Sequence, residues 1–246
     1  MTSMFVFLLF TYLLAAIPFG VVITTLYGDD RDIRGSGSKN IGVTNVARVY
    51  SWSLAIPVLF LDVGKGFFPV LLGWWMFPQG GALWLGCVAL VAFLAHCFPV
   101  YLEFRGGKGV ATGGGAMLAL TPFPTLVALG IWVTVLAATG RSSVASLLSA
   151  LSLMGLTWYF EPQMLPLVVV LGIGVAYTHA ANIARLMRGE EEQVMRPVRW
   201  GRKTAGAPSG LQVLEEGPGG AVGAIFWKES VVDPLEEAGI VDEGEE

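Results

Sequence analysis

The stretch VATGGGAMLALTPFPTLVALGIWVTVLAATGR, residues 110–141, decides how the whole chain is organised. It is apolar almost throughout but is interrupted at residues 121–124 by Thr-Pro-Phe-Pro. Prolines at this spacing usually end one helix and begin another. The stretch therefore predicts two helices, a short one over residues 110–120 and a longer one over residues 123–139.

The rest of the chain is equally apolar. Of the 246 residues, 54% are hydrophobic and 14% are charged, and the mean hydropathy is +0.65, whereas soluble domains are about one-quarter charged. A membrane-spanning helix needs about 20 mostly apolar residues. The first apolar segment lacks a basic leader and is too long for a signal peptide, so we expect it to be retained. The sequence predicts an all-α polytopic membrane protein with seven membrane helices, one of them short. Five segments add to the two above: residues 3–27, 52–77, 81–102, 142–160 and 163–187.

The distribution of basic residues supports two helices in residues 110–139. Short cytoplasmic loops of membrane proteins carry the excess of Lys and Arg. With two helices, every basic loop falls on one face, whereas a single span would move Arg141 to the other face. We therefore predict that the N-terminus lies outside and the C-terminus inside. The basic residues of the predicted cytoplasmic loops are Arg31, Arg34, Lys39, Arg48, Arg105, Lys108, Arg141 and the group from Arg185 onward.

Three polar, glycine-bearing segments lie on this predicted cytoplasmic face, at residues 34–48, 104–115 and 179–191. The first, RGSGSKNIGVTNVAR, combines backbone, hydroxyl and amide donors with an arginine. Such an array suits an anionic oxygen, and the guanidinium adds a planar cationic fork. A flexible polar loop is the alternative interpretation. The side-chain donors are Ser38, Asn40, Thr44, Asn45 and Arg48.

The second segment, FRGGKGVATGGG, places Lys108 among glycines just before a predicted helix. Free N–H groups and the helix dipole attract anions there. The segment is not a nucleotide-binding P-loop, because Leu102 stands where that motif needs its first glycine and Gly109 stands where it needs Ser or Thr. A connecting turn with a cytoplasmic lysine is the alternative. The glycines at 113–115 are predicted to let helices pack closely.

The third segment, HAANIARLMRGEE, puts His179, Asn182 and Leu186 on one helical face, at positions i, i+3 and i+7. His179 has polar neighbours at the same membrane depth, which favours a functional role over simple packing. His96, near the end of another helix, is predicted to be a hydrogen-bonded packing group. Glu191 closes the segment, and the alternative for this residue is a solvated run of charges.

Two further pairs of residues lie inside predicted membrane helices. Asp62 and Lys65 stand three residues apart in a predicted membrane helix, which favours an ion pair over catalysis. Cys87 and Cys97 both fall in one apolar segment and indicate neither a disulfide framework nor a paired metal site. No metal or cofactor is predicted.

Four stretches together resemble, in order and spacing, the bacterial acyl-phosphate glycerol-3-phosphate acyltransferases, the PlsY family. They are GSKNIGVTNVAR, LDVGKG, GGKGVAT and HAANIARLMRGEE. The family's three signature motifs read approximately GSGNIGATNxxR, GGKGVAT and HxxNIxRLxxGxE, and the resemblance covers about residues 5–192. The chain departs at Lys39, where the family usually has glycine, and at Val43, where it usually has alanine. We expect Lys39 to affect how the first loop closes on its ligand.

The resemblance implies an integral enzyme of the bacterial plasma (inner) membrane with seven helices around a site that faces the cytoplasm. Such an enzyme transfers a fatty acyl group from acyl phosphate to the 1-hydroxyl of sn-glycerol 3-phosphate. The products are lysophosphatidic acid and phosphate, in the first acylation of phospholipid biosynthesis. The implied partners are these two substrates and the membrane lipids, with no nucleic acid and no cofactor.

The resemblance also implies the residues of the site. The residues implied to surround the reacting phosphates are Ser38, Arg48, Lys108, His179 and Asn182. Residues implied to bind or support the substrates are Gly37, Asn40, Gly42, Thr44, Asn45, Gly106, Gly107, Gly109, Thr112 and Glu191. The glycines among them are expected to bring backbone N–H groups to the anion. Two acceptors for the proton of the attacking hydroxyl stay open, the phosphate of the acyl donor and His179 as general base.

Other classes of protein make different predictions. A carrier for an anionic solute would use broken helices and glycine loops at its site, but it should draw polar residues from near the middle of the membrane. A membrane anchor explains none of the three polar segments. Residues 1–192 are predicted to form the membrane domain, and residues 193–246 a cytoplasmic extension that is poorly ordered. This extension begins basic, and its first residues are predicted to be a solvated linker or to lie against anionic lipids.

Overall fold

The structure is a computed structural model that describes residues 1–27 and 32–194. Ten α-helices make up this part of the chain, which contains no β-strand, so the predicted all-α fold is confirmed. Three short 3₁₀ helices, Pro78–Gly80, Val100–Leu102 and Pro162–Met164, lie between them. The α-helices are α1 (Thr2–Ala15), α2 (Phe19–Leu26), α3 (Val43–Val49), α4 (Trp52–Met76), α5 (Gly81–Cys97), α6 (Val110–Leu120), α7 (Pro122–Thr139), α8 (Ser142–Phe160), α9 (Leu165–Thr178) and α10 (Ala180–Met187).

Seven apolar segments of the described chain are helical. The segments α4, Pro78–Leu102, α7 and α8 are each long and apolar enough to cross a membrane, and the pairs α1–α2 and α9–α10 reach that length together. The short helix α6 is the seventh. It ends at Leu120 and α7 begins at Pro122, so the predicted split at Thr-Pro-Phe-Pro is confirmed. The number of crossings and the orientation of the termini stay predictions.

The first and last segments were expected to be continuous helices, and this expectation is wrong. The pair α1–α2 bends by 41° at a break beside Pro18, whose ring cannot continue the helical hydrogen bonds. The pair α9–α10 bends by 60° at His179. There the imidazole Nδ1 contacts the Val175 carbonyl at 2.8 Å, and a side chain that bonds the carbonyl four residues back often bends a helix.

Large apolar side chains face outward from the helices. Phe60, Trp75 and Trp158 are 71%, 74% and 71% exposed. A surface of this kind is unfavourable in water but suits lipid, where helices satisfy their own backbone polar groups. The outward faces therefore agree with an integral membrane protein.

The contact between α4 and α6 depends on glycine. A Cβ at Gly66 would lie 2.0 Å from the Thr112 carbonyl oxygen, and one at Gly115 would lie 2.0 Å from the Val63 carbonyl oxygen. The predicted packing role is thus confirmed for Gly115. It is wrong for Gly114, where a Cβ would meet nothing within 4 Å. This close contact fixes α6, and with it the segment that carries Lys108, against α4.

Candidate functional site

The first polar segment folds around the side-chain amide of Asn45, which is 1% exposed. Its Oδ1 accepts the Ser38 N–H at 2.8 Å. Its Nδ2 donates to the carbonyl oxygens of Ile33, Ser36 and Asn40 at 3.2, 3.0 and 2.8 Å. The hydrogen-bonding capacity of this amide is therefore used inside the loop. Asn45 shapes the loop that presents Ser38.

Two residues of this loop adopt left-handed backbone conformations. Gly37 has φ +56°, and a Cβ there would lie 2.4 Å from Asn45 Oδ1, so the position requires glycine. Lys39 has φ +60° although it carries a side chain. Ser38 stands exposed between them, and its hydroxyl has no hydrogen-bond partner in the described part of the chain. This hydroxyl is free to contact a ligand.

Helix α3 carries the end of the first segment. The Gly42 N–H donates to Asn40 Oδ1 at 3.2 Å just before the helix, and Thr44 lies in the first turn. Arg48 lies in the last turn, with Nη1 3.5 Å from the exposed Glu192 carboxylate. The Arg48 Nε is buried and has no partner among the described residues. A buried N–H without an acceptor is unfavourable, and an anion bound beside Arg48 would satisfy it.

Two glycines of the second polar segment hold it against α5. The N–H groups of Gly106 and Gly107 donate to the carbonyls of Cys97 and His96 at 3.1 and 3.0 Å. The prediction that these two N–H groups face an anion is therefore wrong, because the backbone of α5 already accepts them. A Cβ at Gly107 would lie 2.1 Å from His96 Nε2. These glycines are needed for close approach to α5.

Gly109 and the start of α6 differ from that pattern. Gly109 has φ +76°, where glycine is favoured, and a Cβ there would lie 2.3 Å from the Phe93 ring. It is the N-cap of α6, and no side chain caps the helix. The first N–H groups of a helix are orphan donors that attract anions. The helix end beside Lys108 is therefore the part of this segment that can present backbone donors.

Lys108 links the second and third segments. Its Nζ donates to Asn182 Oδ1 at 2.5 Å, and its backbone carbonyl accepts from Thr178 Oγ1 at 3.1 Å. Burial lowers the pKa of the Lys108 ammonium to about 8; Glu191 opposes this, while the nearby Arg185 and Arg48 charges add to it. The site thus holds a cation that lacks full solvation. Such a group gains from a bound anion.

His179 is 2% exposed and lies at the bend between α9 and α10. The break precedes α10, and the carbonyl of His179, the N-cap of that helix, accepts the Ile183 N–H at 2.9 Å. The face that His179 is predicted to share with Asn182 therefore stays a prediction. A carbonyl oxygen only accepts, so the contact between Nδ1 and the Val175 carbonyl assigns the ring proton to Nδ1. The Nε2 of the neutral ring then carries a lone pair.

Glu191 anchors the third segment through three donors. Its carboxylate accepts from Ser143 Oγ at 2.6 Å, from Asn182 Nδ2 at 2.6 Å and from Arg185 Nε at 2.8 Å. Burial alone would raise the pKa of this carboxyl, but the hydrogen bonds from these groups hold it below its usual range. The alternative of a solvated charge is therefore wrong for Glu191, whose carboxylate orients the amide that accepts from Lys108.

An open cleft of about 330 Å³ lies where the first two polar segments meet, next to the end of α9. Residues 38–40 form one side and residues 104–108 another, with contributions from Cys97, Phe98, Tyr177 and Thr178. Cationic and hydroxyl groups thus lie next to exposed aromatic rings. The cleft can hold a ligand that is anionic at one end and apolar at the other.

A buried polar cluster supports the second segment from within the bundle. Lys65 Nζ lies 2.8 Å from Asp62 Oδ1 and donates to the Ile17 carbonyl at 2.7 Å, so the predicted structural ion pair is confirmed. His96 Nδ1 lies 3.1 Å from Thr112 Oγ1, which confirms its predicted role as a hydrogen-bonded packing group. Thr112, with 0% exposure, therefore contacts His96, which packs against Gly107.

The predicted site residues fall into two groups. Ser38, Asn40, Gly106, Gly107 and Lys108 line the cleft, and Asn182 and Glu191 join it through Lys108. The others flank or support these groups, as described above for Gly37, Gly42, Thr44, Asn45, Arg48, Gly109, Thr112 and His179. Ser143 and Thr178 are not among the predicted residues, and their partners lie 48 and 70 positions away in the sequence. No local motif reveals contacts of that length.

The fold and the site define an all-helical membrane protein with a cationic, partly aromatic cleft at one end of its helices. The sequence model of glycerol-3-phosphate acyltransferases matches residues 5–189, and the chain belongs to this family. The glycerol-3-phosphate acyltransferase of Erythrobacter litoralis is 41% identical over 184 residues, which cover 74% of this chain and 91% of the relative. That of Syntrophotalea carbinolica is 40% identical over 195 residues, 78% of this chain and 98% of the relative.

Two solved structures share the fold. They are crystal structures of PlsY, an integral membrane glycerol 3-phosphate acyltransferase, in a glycerol 3-phosphate form and a lysophosphatidic acid form. Their TM-scores to this chain are 0.73 and 0.72, at 34% identity, and each comparison covers 78% of this chain and 95% of the other. The match to the family's sequence model ends at residue 189, before the C-terminal extension.

Proposed function

We propose that this protein transfers a fatty acyl group from acyl phosphate to the 1-hydroxyl of sn-glycerol 3-phosphate, releasing lysophosphatidic acid and phosphate. The observation that carries the proposal is the contact of Lys108 with Asn182 and Thr178, which unites two of the polar segments beside the Ser38 loop. Family membership and the two PlsY forms, one with the acceptor substrate and one with the acylated product, support it.

The charges of the site suit two phosphate-bearing substrates. Lys108, the free hydroxyl of Ser38 and the unpartnered Nε of Arg48 offer donors to phosphate oxygens. Charge-assisted hydrogen bonds of this kind are the strong ones. Holding two anions next to each other is the main barrier to their reaction, so binding and orientation supply much of the catalysis.

The chemistry needs no covalent enzyme intermediate. Acyl phosphate is a mixed anhydride, and the 1-hydroxyl oxygen attacks its carbonyl carbon. The new ester C–O bond forms, the bond between the carbonyl carbon and the phosphate oxygen breaks, and phosphate leaves with the bonding electron pair. Lys108 and Arg48 are proposed to neutralise the negative charge that collects on the leaving phosphate.

The hydroxyl proton has two candidate acceptors. The tautomer of His179, with the proton on Nδ1 and a lone pair on Nε2, suits a hydrogen bond from the hydroxyl. The second candidate is the phosphate of the acyl donor, which lies beside the reacting carbonyl. With His179→Ala, a rate that falls without loss of glycerol 3-phosphate affinity favours the histidine. A weaker affinity with an intact maximal rate favours the phosphate.

The proposed activity is tested on purified full-length protein in detergent, with long-chain acyl phosphate and radiolabelled glycerol 3-phosphate. We expect labelled lysophosphatidic acid, and Lys108→Met is the control that should lose it. A second incubation with acyl-CoA identifies the donor. Uptake of glycerol 3-phosphate into sealed vesicles without any acylated product would instead indicate a carrier.

We further propose seven membrane crossings in the plasma membrane, with the N-terminus outside and the site facing the cytoplasm. The basic loops that flank the site support this orientation. Single cysteines at exposed positions, Gln79→Cys and Glu190→Cys, test it in a Cys87→Ala, Cys97→Ala background. An impermeant thiol reagent should label residue 79 and not residue 190 in intact cells. The opposite pattern would invert the topology.

Residues 1–192 are proposed to contain the whole catalytic unit. Nearly all of the extension, residues 195–246, lies outside the described residues, and its predicted disorder stays a prediction. Its first residues contact the domain, since the Val194 N–H donates to the Gly140 carbonyl at 2.7 Å. Truncation after Val194 should therefore keep activity. A large loss would show that the extension takes part in the reaction.

A further inference from the structure

We propose that Lys39 binds the phosphate of the acyl donor at the mouth of the cleft and thereby helps to select an amphiphilic anion. This inference rests on the proposed function and adds a residue that the shared motifs do not contain. Three observations carry it: the backbone conformation of Lys39, the bonds that hold this conformation, and the groups around the side chain.

The backbone of Lys39 is left-handed, with φ +60°. Residues with a Cβ rarely adopt this conformation, whereas glycine does so freely. Packing does not offset the strain, because the side chain is exposed and forms no ion pair with any described residue. A residue whose backbone is strained and whose side chain has no internal partner is a candidate for ligand binding.

The conformation is fixed from both sides. Asn45 Oδ1 accepts the N–H of Ser38, and Asn45 Nδ2 donates to the carbonyl of Asn40, each at 2.8 Å. The Lys39 N–H itself donates to the Ser36 carbonyl at 3.0 Å. The loop therefore holds the lysine at a set position on the wall of the cleft. This position does not depend on contacts of the ammonium group.

The surroundings of Lys39 indicate which substrate it contacts. The cleft that it lines also contains the cations of Arg105 and Lys108, together with the exposed rings of Phe98, Phe104 and Tyr177. An acyl phosphate can place its phosphate among these cations and the start of its chain against the rings. Glycerol 3-phosphate has no hydrocarbon chain, so it gains no comparable apolar contact with the aromatic side of the cleft. Lys39 is thus assigned to the acyl donor and to the phosphate that it releases.

The side chain of Lys39 is also less constrained by hydrogen bonds than that of Lys108. Lys108 is tied to Asn182, and through it to Glu191. Lys39 is free of such ties among residues 1–27 and 32–194, and a flexible ammonium can follow the phosphate as the acyl bond breaks. Lys39 would then act as a mobile cation on the donor phosphate, beside the fixed cation of Lys108.

Steady-state kinetics on the purified full-length protein test the proposal, with a C16 acyl phosphate and glycerol 3-phosphate varied separately. The variants are Lys39→Gly, which removes the charge and the strain, Lys39→Gln, which removes only the charge, and Lys39→Arg, which keeps the charge. We expect Gly and Gln to raise the KM for acyl phosphate about threefold to tenfold, as for one partly exposed charged contact. The KM for glycerol 3-phosphate should stay within twofold, and Arg should resemble the native protein.

Two further readouts separate binding from structure. Inhibition by inorganic phosphate, competitive with acyl phosphate, should weaken by the same factor in Lys39→Gly and Lys39→Gln. Lys39→Gly should unfold at an equal or higher temperature, so its weaker donor binding is not a folding defect. The matched control is Arg34→Gln, a charge removed from the same loop where Arg34 pairs with Asp32 at 2.8 Å, and its KM values should not change.

Specific outcomes would overturn the inference. A donor KM within twofold of the native value in both neutral variants would do so. An equal rise in both KM values would also overturn it, because that result indicates a long-range electrostatic effect on both anionic substrates and not a contact with the acyl donor. If the native protein makes no lysophosphatidic acid, the proposed function itself fails, and the two failures are thus distinguishable.

Discussion

Lys108 and Asn182 are separated by 74 positions in sequence, yet Lys108 Nζ lies 2.5 Å from Asn182 Oδ1. The amide is held in turn by Glu191, whose carboxylate accepts from Asn182 Nδ2 at 2.6 Å. Lys108 therefore contacts the amide oxygen of Asn182, and the amide nitrogen of Asn182 donates to the Glu191 carboxylate. This arrangement keeps the positive charge of Lys108 in place without neutralising it by direct pairing.

The pKa of Lys108 predicts a pH dependence. Burial lowers this pKa to about 8, so the free enzyme carries the charge below that pH and loses it above. We expect kcat/KM for glycerol 3-phosphate to fall as the pH rises through about 8, approaching a tenfold loss per pH unit, because kcat/KM reports the free enzyme. A bound phosphate raises the pKa, so the decline in kcat should come at higher pH.

The control for this prediction is Lys108→Arg, whose guanidinium stays protonated. Its overall activity should be lower, because the fork does not fit the lysine's contact with Asn182. Its remaining kcat/KM should nevertheless be flat between pH 7 and 9. A decline in this variant that matches the native one would assign the titration to another group.

The sequence predicts the fold largely because its signals are local. Apolar runs of membrane length, the Thr-Pro-Phe-Pro break and the basic loops each lie in one short segment. The bend at His179 was missed because neither proline nor glycine marks it. It arises from a side-chain contact with the Val175 carbonyl.

The site shows the same division between local and distant signals. The residues at the cleft, such as Ser38 and Lys108, belong to short polar motifs that stand out from apolar surroundings. What these motifs do not reveal is how each polar group is used. The side-chain amide of Asn45 makes its hydrogen bonds within its own loop. The Gly107 N–H donates to the His96 carbonyl and is not available to a ligand. The contribution of Ser143 depends on a contact with Glu191 across 48 positions.

Two glycine substitutions in and just after the second polar segment should have opposite effects. In Gly107→Ala the new Cβ would lie 2.1 Å from His96 Nε2, and this ring is held by Thr112. We expect loss of activity and a destabilisation of about 1–3 kcal/mol, as for overpacking in a core. The matched control, Gly114→Ala in α6, meets nothing within 4 Å. It should keep activity and stabilise the protein by about 0.5–1 kcal/mol.

The measurement for this pair is thermal unfolding in detergent together with specific activity. Equal behaviour of the two variants would contradict the packing described around His96. A Gly107→Ala protein of native stability and native activity would show that the ring moves aside.

Substitution of Asn45 should separate loop shape from substrate contact. Asn45→Asp keeps the acceptor for the Ser38 N–H but places a carboxylate against the carbonyl oxygens of Ile33, Ser36 and Asn40. Losing these donors should destabilise the protein by about 1–3 kcal/mol. Because Ser38 and Lys39 sit on this loop, KM should rise for both substrates.

The control for Asn45→Asp is Thr44→Ser, a conservative change one position earlier that leaves the amide untouched. Its unfolding temperature should match the native value. If Asn45→Asp keeps the native unfolding temperature and loses only activity, the amide contacts substrate and the loop-shaping role is refuted.

The ion pair between Asp62 and Lys65 should matter for folding more than for turnover. Both side chains are almost fully buried, and their charged atoms lie 2.8 Å apart. Lys65→Met alone leaves an unpaired carboxylate beside His96, 3.7 Å away, and should destabilise the protein by about 3–5 kcal/mol. The double variant Asp62→Leu, Lys65→Met removes both charges and should recover much of that loss, because no unpaired charge stays buried. Thermal unfolding of the native protein, the single variant and the double variant measures these changes in stability. The KM values of the folded double variant should stay near the native values. A double variant as unstable as Lys65→Met, or one that is stable but inactive, would show that the charges themselves are required.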